Sequence, residues 1–93
     1  MIKTFSCKET QKIFKRHFSH KLPQNIQEKA RLKLLLIDAA TSLNDLRIPP
    51  GNRLEELKGN RAGQYSIRIN NQWRICFIWE KGDAYQVEIT DYH

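Results

Sequence analysis

Basic side chains recur along the last third of the sequence at positions that suit chemistry on phosphodiesters. Arg68 and Arg74 lie in two runs of alternating apolar and polar residues, and the sequence ends with Asp91, Tyr92 and His93. A guanidinium group matches the oxygens of a phosphate, and imidazole and phenol groups can transfer protons. The pattern therefore indicates cleavage of RNA through attack of a 2′-hydroxyl on the adjacent phosphorus.

The residues of this candidate site each have alternative roles. Lys58 and Arg61, in a predicted turn, either hold neighbouring phosphates or, for Lys58, donate a proton. Asp91 either orients His93 or accepts a proton itself, and Tyr92 either stacks on a base or acts as an acid. Taken alone, a terminal histidine is more often frayed and without a function.

The composition favours a polyanion or an acidic protein as partner. The net charge is +6, with a pI of about 9.6. Residues 1–50 hold ten Lys and Arg against four Asp and Glu, whereas residues 51–93 hold six of each. The first half therefore predicts a general cationic surface for RNA. Its RNA-contacting cations are expected to include Lys8, Lys12, Lys15 and Arg16.

Several classes of protein do not fit this sequence. Its length predicts one domain over residues 1–93. Cys7 and Cys76 are far apart and form no disulfide framework, and His17 and His20 lack companions spaced for a metal, so we expect no metal or cofactor. No apolar run approaches the ~20 residues that span a bilayer. We therefore expect a cytoplasmic protein without a membrane partner.

The first half of the sequence is predicted to be helical. Ser6 with Glu9 has the spacing of a capping box, which predicts a helix over residues 7–17. A second, antiparallel helix should run from Pro23 to about Ser42. The residues expected to form its buried stripe are Ile26, Ala30, Leu34, Ile37 and Ala40, widened by Leu32, Leu35, Leu36 and Ala39.

The second half has the period of two that is typical of strands. Strands are expected at residues 2–5, 53–57, 64–69, 73–79 and 84–91, with a rigid connector at residues 46–51. The order β-α-α-β-β-β-β predicts an α+β fold. In it, two N-terminal antiparallel helices pack on one face of a small, mainly antiparallel twisted sheet.

Apolar alternation predicts the register of the sheet. A three-residue loop over residues 70–72, with Asn in the left-handed conformation, places Arg68 opposite Arg74, and the next hairpin places Arg74 opposite Thr90. The apolar pairs expected on the helix-facing side are Ile69 with Trp73, Ile75 with Ile89, Phe77 with Val87, and Trp79 with Tyr85.

Two arginines opposite each other repel by a few tenths of a kcal/mol or more. Either an anion binds beside Arg68 and Arg74, or Glu88 offsets the charge of Arg74 and the face is an ordinary solvated sheet. The sequence supports both alternatives equally.

Four stretches resemble the HigB toxins of bacterial toxin–antitoxin modules, within the RelE/ParE superfamily. They are PPGNRLEELKGNR at residues 49–61, GQYSIRI at 63–69, QWRICF at 72–77 and DYH at 91–93. The resemblance covers essentially the whole chain and is weaker in the helices.

This resemblance implies a RelE/ParE-like fold and cleavage of mRNA in the A site of the 70S ribosome, by 2′-hydroxyl attack without a metal or cofactor. It also implies a HigA-type helix-turn-helix antitoxin, whose complex with the toxin binds operator DNA. The functional positions that it implies are Lys58, Arg74, Asp91, Tyr92 and His93.

The sequence departs from this family in two places, and two other functions remain open. Asn70 and Asn71 stand where some relatives carry a further basic residue, and Ile78 stands where relatives often have a cation. A ParE-like toxin that inhibits gyrase would share the fold without needing the cations. A non-catalytic subunit that binds RNA or regulates its operon is the other alternative.

Overall fold

The computed structural model describes residues 1–91, so the predicted site residues Tyr92 and His93 lie outside the described residues. The helices are α1 (Lys8–Phe14), α2 (Gln24–Ala39) and α3 (Leu43–Arg47). The strands are β1 (Glu55–Glu56), β2 (Gln64–Arg68), β3 (Trp73–Glu80) and β4 (Asp83–Asp91), with 3₁₀ turns at Pro50–Asn52 and Gly59–Arg61. All neighbouring strands pair antiparallel in the order β1-β2-β3-β4. The predicted α+β fold class is confirmed.

Helices α1 and α2 pack on one face of the sheet and enclose the core with it. The stripe of α2 from Ile26 to Ala40 is buried as predicted, against core residues of all three longer strands. The predicted widening of that stripe is wrong, because Leu32, Leu35 and Leu36 are 51%, 38% and 42% exposed. These leucines lie on the side of α2 that faces away from the sheet. No helix within residues 1–91 is long and apolar enough to cross a membrane.

The capping box predicted at Ser6 and Glu9 is wrong. Helix α1 has Cys7 as its N-cap without a side-chain hydrogen bond, and the Ser6 hydroxyl instead donates to the carbonyl of Gln86 at 3.2 Å. The Glu9 carboxylate accepts a hydrogen bond from Ser19 at 2.6 Å, and this contact, with that of Lys12, lowers the pKa of Glu9. Both side chains thus serve tertiary contacts that local spacing does not reveal.

A capping box does form at Ser42 and Asp45, where it begins the short helix α3. The Asp45 carboxylate accepts hydrogen bonds from the backbone N–H and hydroxyl of Thr41 and from the backbone N–H of Ser42, which lower its pKa. The predicted connector over residues 46–51 therefore begins inside a helix. Its Pro50 opens a 3₁₀ turn.

The predicted register of β2 and β3 is confirmed, since Arg68 lies opposite Arg74. The loop between them closes differently from the prediction. None of its residues has a positive φ. Instead, the side-chain oxygen of Asn70 accepts hydrogen bonds from the backbone N–H groups of Gln72 and Trp73, each at 2.8 Å. A side chain thus replaces the left-handed backbone that we expected.

The register of β3 and β4 matches the prediction at one end and fails beyond a β-bulge. Arg74 pairs with Thr90, and Ile75 pairs with Ile89, as predicted. Two β4 residues, Gln86 and Val87, then oppose one β3 residue, with Gln86 at φ 53°. Trp79 therefore pairs with Ala84 and not with Tyr85.

The N-terminal segment explains the bulge. The backbone N–H of Gln86 donates to the hydroxyl of Thr4 at 2.8 Å, and that of Val87 donates to the carbonyl of Thr4 at 3.1 Å. This segment forms only two isolated parallel bridges, Ile2 with Ala84 and Phe5 with Val87. The strand predicted over residues 2–5 is thus reduced to bridges that cover the edge of β4.

Candidate active site

A cleft of about 570 Å³ opens on the sheet face opposite the helices. Cys76 and Thr90 lie on this face, since they alternate along β3 and β4 with the core residues Ile75 and Ile89. We call it the sheet cleft, and its lining residues are Glu55, Glu56, Leu57, Lys58, Asn60, Arg61, Cys76, Thr90 and Asp91. It brings together three predicted site residues, Lys58, Arg61 and Asp91.

Arg74 lies on the same sheet face and is only 6% exposed, so its side chain is covered at this point of the face. Its Nε–H donates to the hydroxyl of Ser66 at 2.7 Å. One terminal nitrogen donates to the carbonyls of Arg53 at 2.6 Å and Ser66 at 3.2 Å, and the other lies 3.7 Å from the Glu55 carboxylate. Several groups therefore hold the guanidinium in one orientation.

A second, smaller cleft of about 210 Å³ lies beside the sheet cleft. We call it the arginine cleft, and its lining residues are Arg53, Glu55, Arg68, Asn70, Asn71 and Arg74. Arg68 donates a hydrogen bond to the side chain of Asn71. Three guanidinium groups near one carboxylate make this cleft a cationic surface that suits phosphate oxygens.

Among residues 1–91, the carboxylate nearest the Arg74 guanidinium is that of Glu55, at 3.7 Å, whereas Glu88 pairs with Arg61 at 2.7 Å. The ion pair with Glu88 raises the pKa of Arg61, which keeps this guanidinium charged. Of the two predicted alternatives, the one that assigned Glu88 to Arg74 is therefore wrong. Arg61 also donates a hydrogen bond to the side-chain oxygen of Gln64 at 3.1 Å.

Glu55 is the site residue that our sequence analysis missed. It lines both clefts, and its side chain is 47% exposed. It pairs across the sheet with Ser66, which places it on the same face as Arg74. A sequence signal for Glu55 did exist. If the alternation of β2 is continued across the preceding turn into β1, Glu55 falls opposite Ser66. β1 is too short for its own pattern to reveal this.

Thr90 contributes an unusual polar atom to the sheet cleft. Its hydroxyl oxygen is buried and has no hydrogen-bond partner among residues 1–91. Asp91, the next residue, is exposed and accepts a hydrogen bond from the Gln72 amide at 3.2 Å. Burying a hydroxyl without a partner costs stability, which proteins tolerate more readily at functional sites.

The four cations of the first half that we predicted to contact RNA are not part of either cleft. Lys8, Lys12, Lys15 and Arg16 are exposed in the helical layer, on the other side of the sheet. Lys12 forms an ion pair with Glu9 at 3.2 Å. The structure thus separates a cationic helical surface from the clefts that contain Lys58 and Arg74.

Of the thiol and metal candidates, Cys76 lines the sheet cleft, whereas Cys7, His17 and His20 line neither cleft. Cys7 and Cys76 are free thiols. Within residues 1–91, His, Cys, Asp and Glu side chains form no cluster of three or more that could hold a metal ion.

Comparison with known proteins supports the resemblance found in the sequence. The family model of HigB-like toxins, described as the RelE-like toxin of type II toxin–antitoxin system HigB, matches residues 3–93. Toxin HigB-1 of Vibrio cholerae serotype O1 is 43% identical over 81 residues, covering 86% of this chain and 85% of that protein. Endoribonuclease HigB of Proteus vulgaris is 34% identical over 93 residues, covering 100% of both chains.

The fold also matches a solved toxin structure. The YoeB–YefM complex from Staphylococcus aureus aligns with a TM-score of 0.62 and 20% identity, covering 100% of this chain and 98% of that chain. This likeness concerns the fold, while the family rests on the sequence matches over residues 3–93. The chain therefore belongs to the HigB-like family of RelE-like toxins from type II toxin–antitoxin systems.

Proposed function

We propose that this toxin is a ribosome-dependent endoribonuclease that acts in the cytoplasm and cleaves mRNA in the A site. The observation that carries the proposal is that Glu55 joins the two clefts, lining both and contacting the buried guanidinium of Arg74 at 3.7 Å. Glu55 thus lies between the fixed guanidinium of Arg74 in the arginine cleft and Lys58 in the sheet cleft. The relative from Proteus vulgaris, named an endoribonuclease, supports this function.

In the proposed reaction the 2′-hydroxyl oxygen forms a bond to the adjacent phosphorus, and the bond from phosphorus to the 5′ oxygen breaks. Glu55 accepts the proton of the 2′-hydroxyl, since its half-exposed carboxylate lines both clefts. Arg74 stabilises the negative charge of the phosphorane. Because Ser66 and the Arg53 carbonyl already fix this guanidinium, little reorganisation accompanies the reaction.

The leaving 5′ oxygen needs a proton, and the products are a 2′,3′-cyclic phosphate and a 5′-hydroxyl. We assign its donor to the C-terminal pair, with His93 as the proton carrier and Tyr92 as a stacking or acidic group. Lys58, exposed in the sheet cleft, binds phosphate oxygens, and Asp91 orients His93. Arg61 and Arg68 contact neighbouring phosphates.

The ribosome is part of this proposal because both clefts are open and small. They do not enclose an RNA strand, so positioning must come from elsewhere. The cationic helical surface of Lys8, Lys12, Lys15 and Arg16 supplies a salt-dependent contact to ribosomal RNA. Free RNA should therefore be a poor substrate.

The partner that restrains the toxin is proposed to be a HigA-type helix-turn-helix antitoxin. Type II modules pair a toxin with an antitoxin, and one matching Staphylococcus aureus structure is named a heterotetrameric YoeB–YefM toxin–antitoxin complex. Operator DNA would be contacted through the antitoxin in the complex.

Primer extension on programmed 70S ribosomes tests the proposed function. The purified toxin should cut mRNA at discrete positions within the A-site codon, and the same mRNA without ribosomes should remain intact. An mRNA with a single 2′-deoxynucleotide at the cut position should resist cleavage there. Equal cutting of free mRNA would refute ribosome dependence, and cutting at the 2′-deoxy position would refute the mechanism.

A further inference from the structure

The helical layer contains a notch of about 350 Å³ between the end of α1 and the first half of α2. The residues of this notch that bear on its chemistry are Arg16, His17, Phe18, Gln27, Glu28 and Arg31. Two guanidinium groups thus share the notch with one carboxylate, and Glu28 forms no ion pair with either arginine in the described chain. The notch is a cationic recess on the far side of the sheet from Arg74.

Arg31 shows that the notch is incomplete. Its Nε–H is buried and has no hydrogen-bond partner within residues 1–91. A buried donor that remains unpaired destabilises the folded protein, and more so when the group is charged. Nε itself is covered by the toxin, so a partner would reach Arg31 through the part of its side chain that lines the notch. The backbone of Arg16, at φ 66°, places a second guanidinium at the same recess in a conformation that non-glycine residues rarely adopt.

Next to the notch, α2 exposes an apolar surface. Leu32, Leu35 and Leu36, which we call the leucine patch, follow directly from Arg31 on the outward side of the helix, and each is more than a third exposed. Leu35 is one helical turn from Arg31, so the patch and the notch are continuous. Adjacent exposed leucines of this kind mark interaction surfaces when polar or charged groups border them.

The combination of charge and apolar area selects the kind of partner. A second copy of this chain is disfavoured, because each copy carries a net charge of +6. An RNA backbone would use the arginines but gain little from three leucines. A protein segment that carries both carboxylates and apolar side chains satisfies the whole surface.

We propose that the notch and the leucine patch together bind an acidic amphipathic segment of the protein antitoxin. A carboxylate of that segment pairs with the guanidinium of Arg31 in the notch, and its apolar side chains cover the leucine patch, as in binding of a helix in a groove. The inference rests on the proposed function for the identity of the partner. The surface itself is defined by the residues that line the notch and by the exposure of the leucines.

The experiment measures the affinity of the full-length toxin for its antitoxin, and separately measures mRNA cleavage by the toxin alone. The test variants are Arg31→Met and the double variant Leu32→Ser with Leu36→Ser. The matched controls are Arg47→Met and Ile48→Ser, which remove an exposed cation and a 69% exposed apolar side chain at the end of α3. The leucine variants alter exposed side chains, so the fold does not depend on them.

We expect each test variant to weaken antitoxin binding by about 10-fold or more, with controls within about threefold of the parent. Cleavage of ribosome-bound mRNA should be unchanged in the test variants. Unchanged antitoxin affinity in both would overturn the inference. A loss of cleavage with intact antitoxin affinity would instead identify the notch as an RNA contact and would equally overturn it.

These outcomes can be separated from a failure of the proposed function. If the parent toxin binds its antitoxin but cuts no mRNA, the nuclease proposal fails while the affinities of the variants still decide the docking surface. If the parent cuts mRNA and the variants bind antitoxin normally, only the docking inference fails.

Discussion

The Nε–H of Arg74 lies 2.7 Å from the hydroxyl of Ser66, and both residues are buried. Ser66 also accepts a second hydrogen bond from the same guanidinium through its carbonyl. These contacts fix the Arg74 side chain in one rotamer, whereas the sheet alone would allow several. Ser66 is therefore a positioning residue for the guanidinium that we assign to the phosphorane.

The substitution Ser66→Ala should raise the activation free energy of cleavage by more than it lowers the free energy of unfolding. The Arg74 side chain keeps its carbonyl partners but loses the contact that orients Nε, and a hydrogen bond to a charged group contributes about 1.5–3 kcal/mol. Single-turnover cleavage should fall by about 10-fold to 100-fold. Ser66→Thr, which keeps a hydroxyl, is the control and should restore part of the rate. Equal rates for all three proteins would show that Ser66 does not position Arg74 for cleavage.

Glu55→Gln should abolish most cleavage, because the amide cannot accept the proton of the 2′-hydroxyl. The loss of a general base typically costs about 10²-fold to 10⁴-fold. Glu56→Gln is the matched control, since it removes the same charge at the adjacent exposed position but has no contact with Arg74 among the described residues. A faster Glu55→Gln enzyme would instead show that Glu55 competes with the RNA phosphate for Arg74.

Thr90→Val should stabilise the toxin by about 1 kcal/mol, because it replaces a buried, unpartnered hydroxyl with a methyl group of similar size. The control is Thr10→Val, since the buried hydroxyl of Thr10 accepts a hydrogen bond from the backbone N–H of Ile89 at 2.9 Å. That variant should be destabilised. Urea denaturation measures both, and a clear destabilisation by Thr90→Val would show that its hydroxyl has a partner.

Stability should decrease in acid because hydrogen bonds lower the pKa values of Glu9 and Asp45. Hydrogen bonds from Ser19 and Lys12 act on Glu9, and those from Thr41 and Ser42 act on Asp45. A carboxyl whose pKa is lower in the folded state binds fewer protons there, so its stabilisation is present above the unfolded-state values of 4.5 and 3.8. The stabilisation is lost as the pH falls below them toward the lowered values.

Urea midpoints between pH 7 and pH 3 check this prediction. The double variant Glu9→Gln with Asp45→Asn should be less stable than the parent at pH 7. It should also lose less stability on acidification. If the urea midpoints of the two proteins decreased equally with falling pH, other carboxyl groups would govern the loss of stability in acid.

The sequence was sufficient to predict the register between β2 and β3, because a one-residue slip would have exposed Ile67 and Ile75. The same alternation placed Arg74 opposite Thr90. It failed beyond the bulge at Gln86, because that bulge depends on hydrogen bonds from β4 to Thr4, more than 80 residues away. Periodicity within a strand carries no information about such a distant contact.

The burial of Arg74 could not be predicted from the sequence for the same reason, because it depends on contacts with residues outside its own strand. The carbonyl that covers it belongs to Arg53, whose φ of 44° follows from the 3₁₀ turn before it. Glu55 reaches the guanidinium from a strand of only two residues, which has no recognisable alternation. Short segments that close over a site are thus the part of this fold that local patterns predict least well.

The single-turnover rate at which Arg74→Ala cleaves ribosome-bound mRNA tests the central claim most directly. The variant is first shown to be folded by its thermal unfolding transition, and Arg68→Ala serves as the matched loss of a guanidinium on the same face. We expect Arg74→Ala to cleave at least about 100-fold more slowly than the parent toxin, with a smaller loss for Arg68→Ala. A folded Arg74→Ala toxin that cleaves within about threefold of the parent rate would contradict the account.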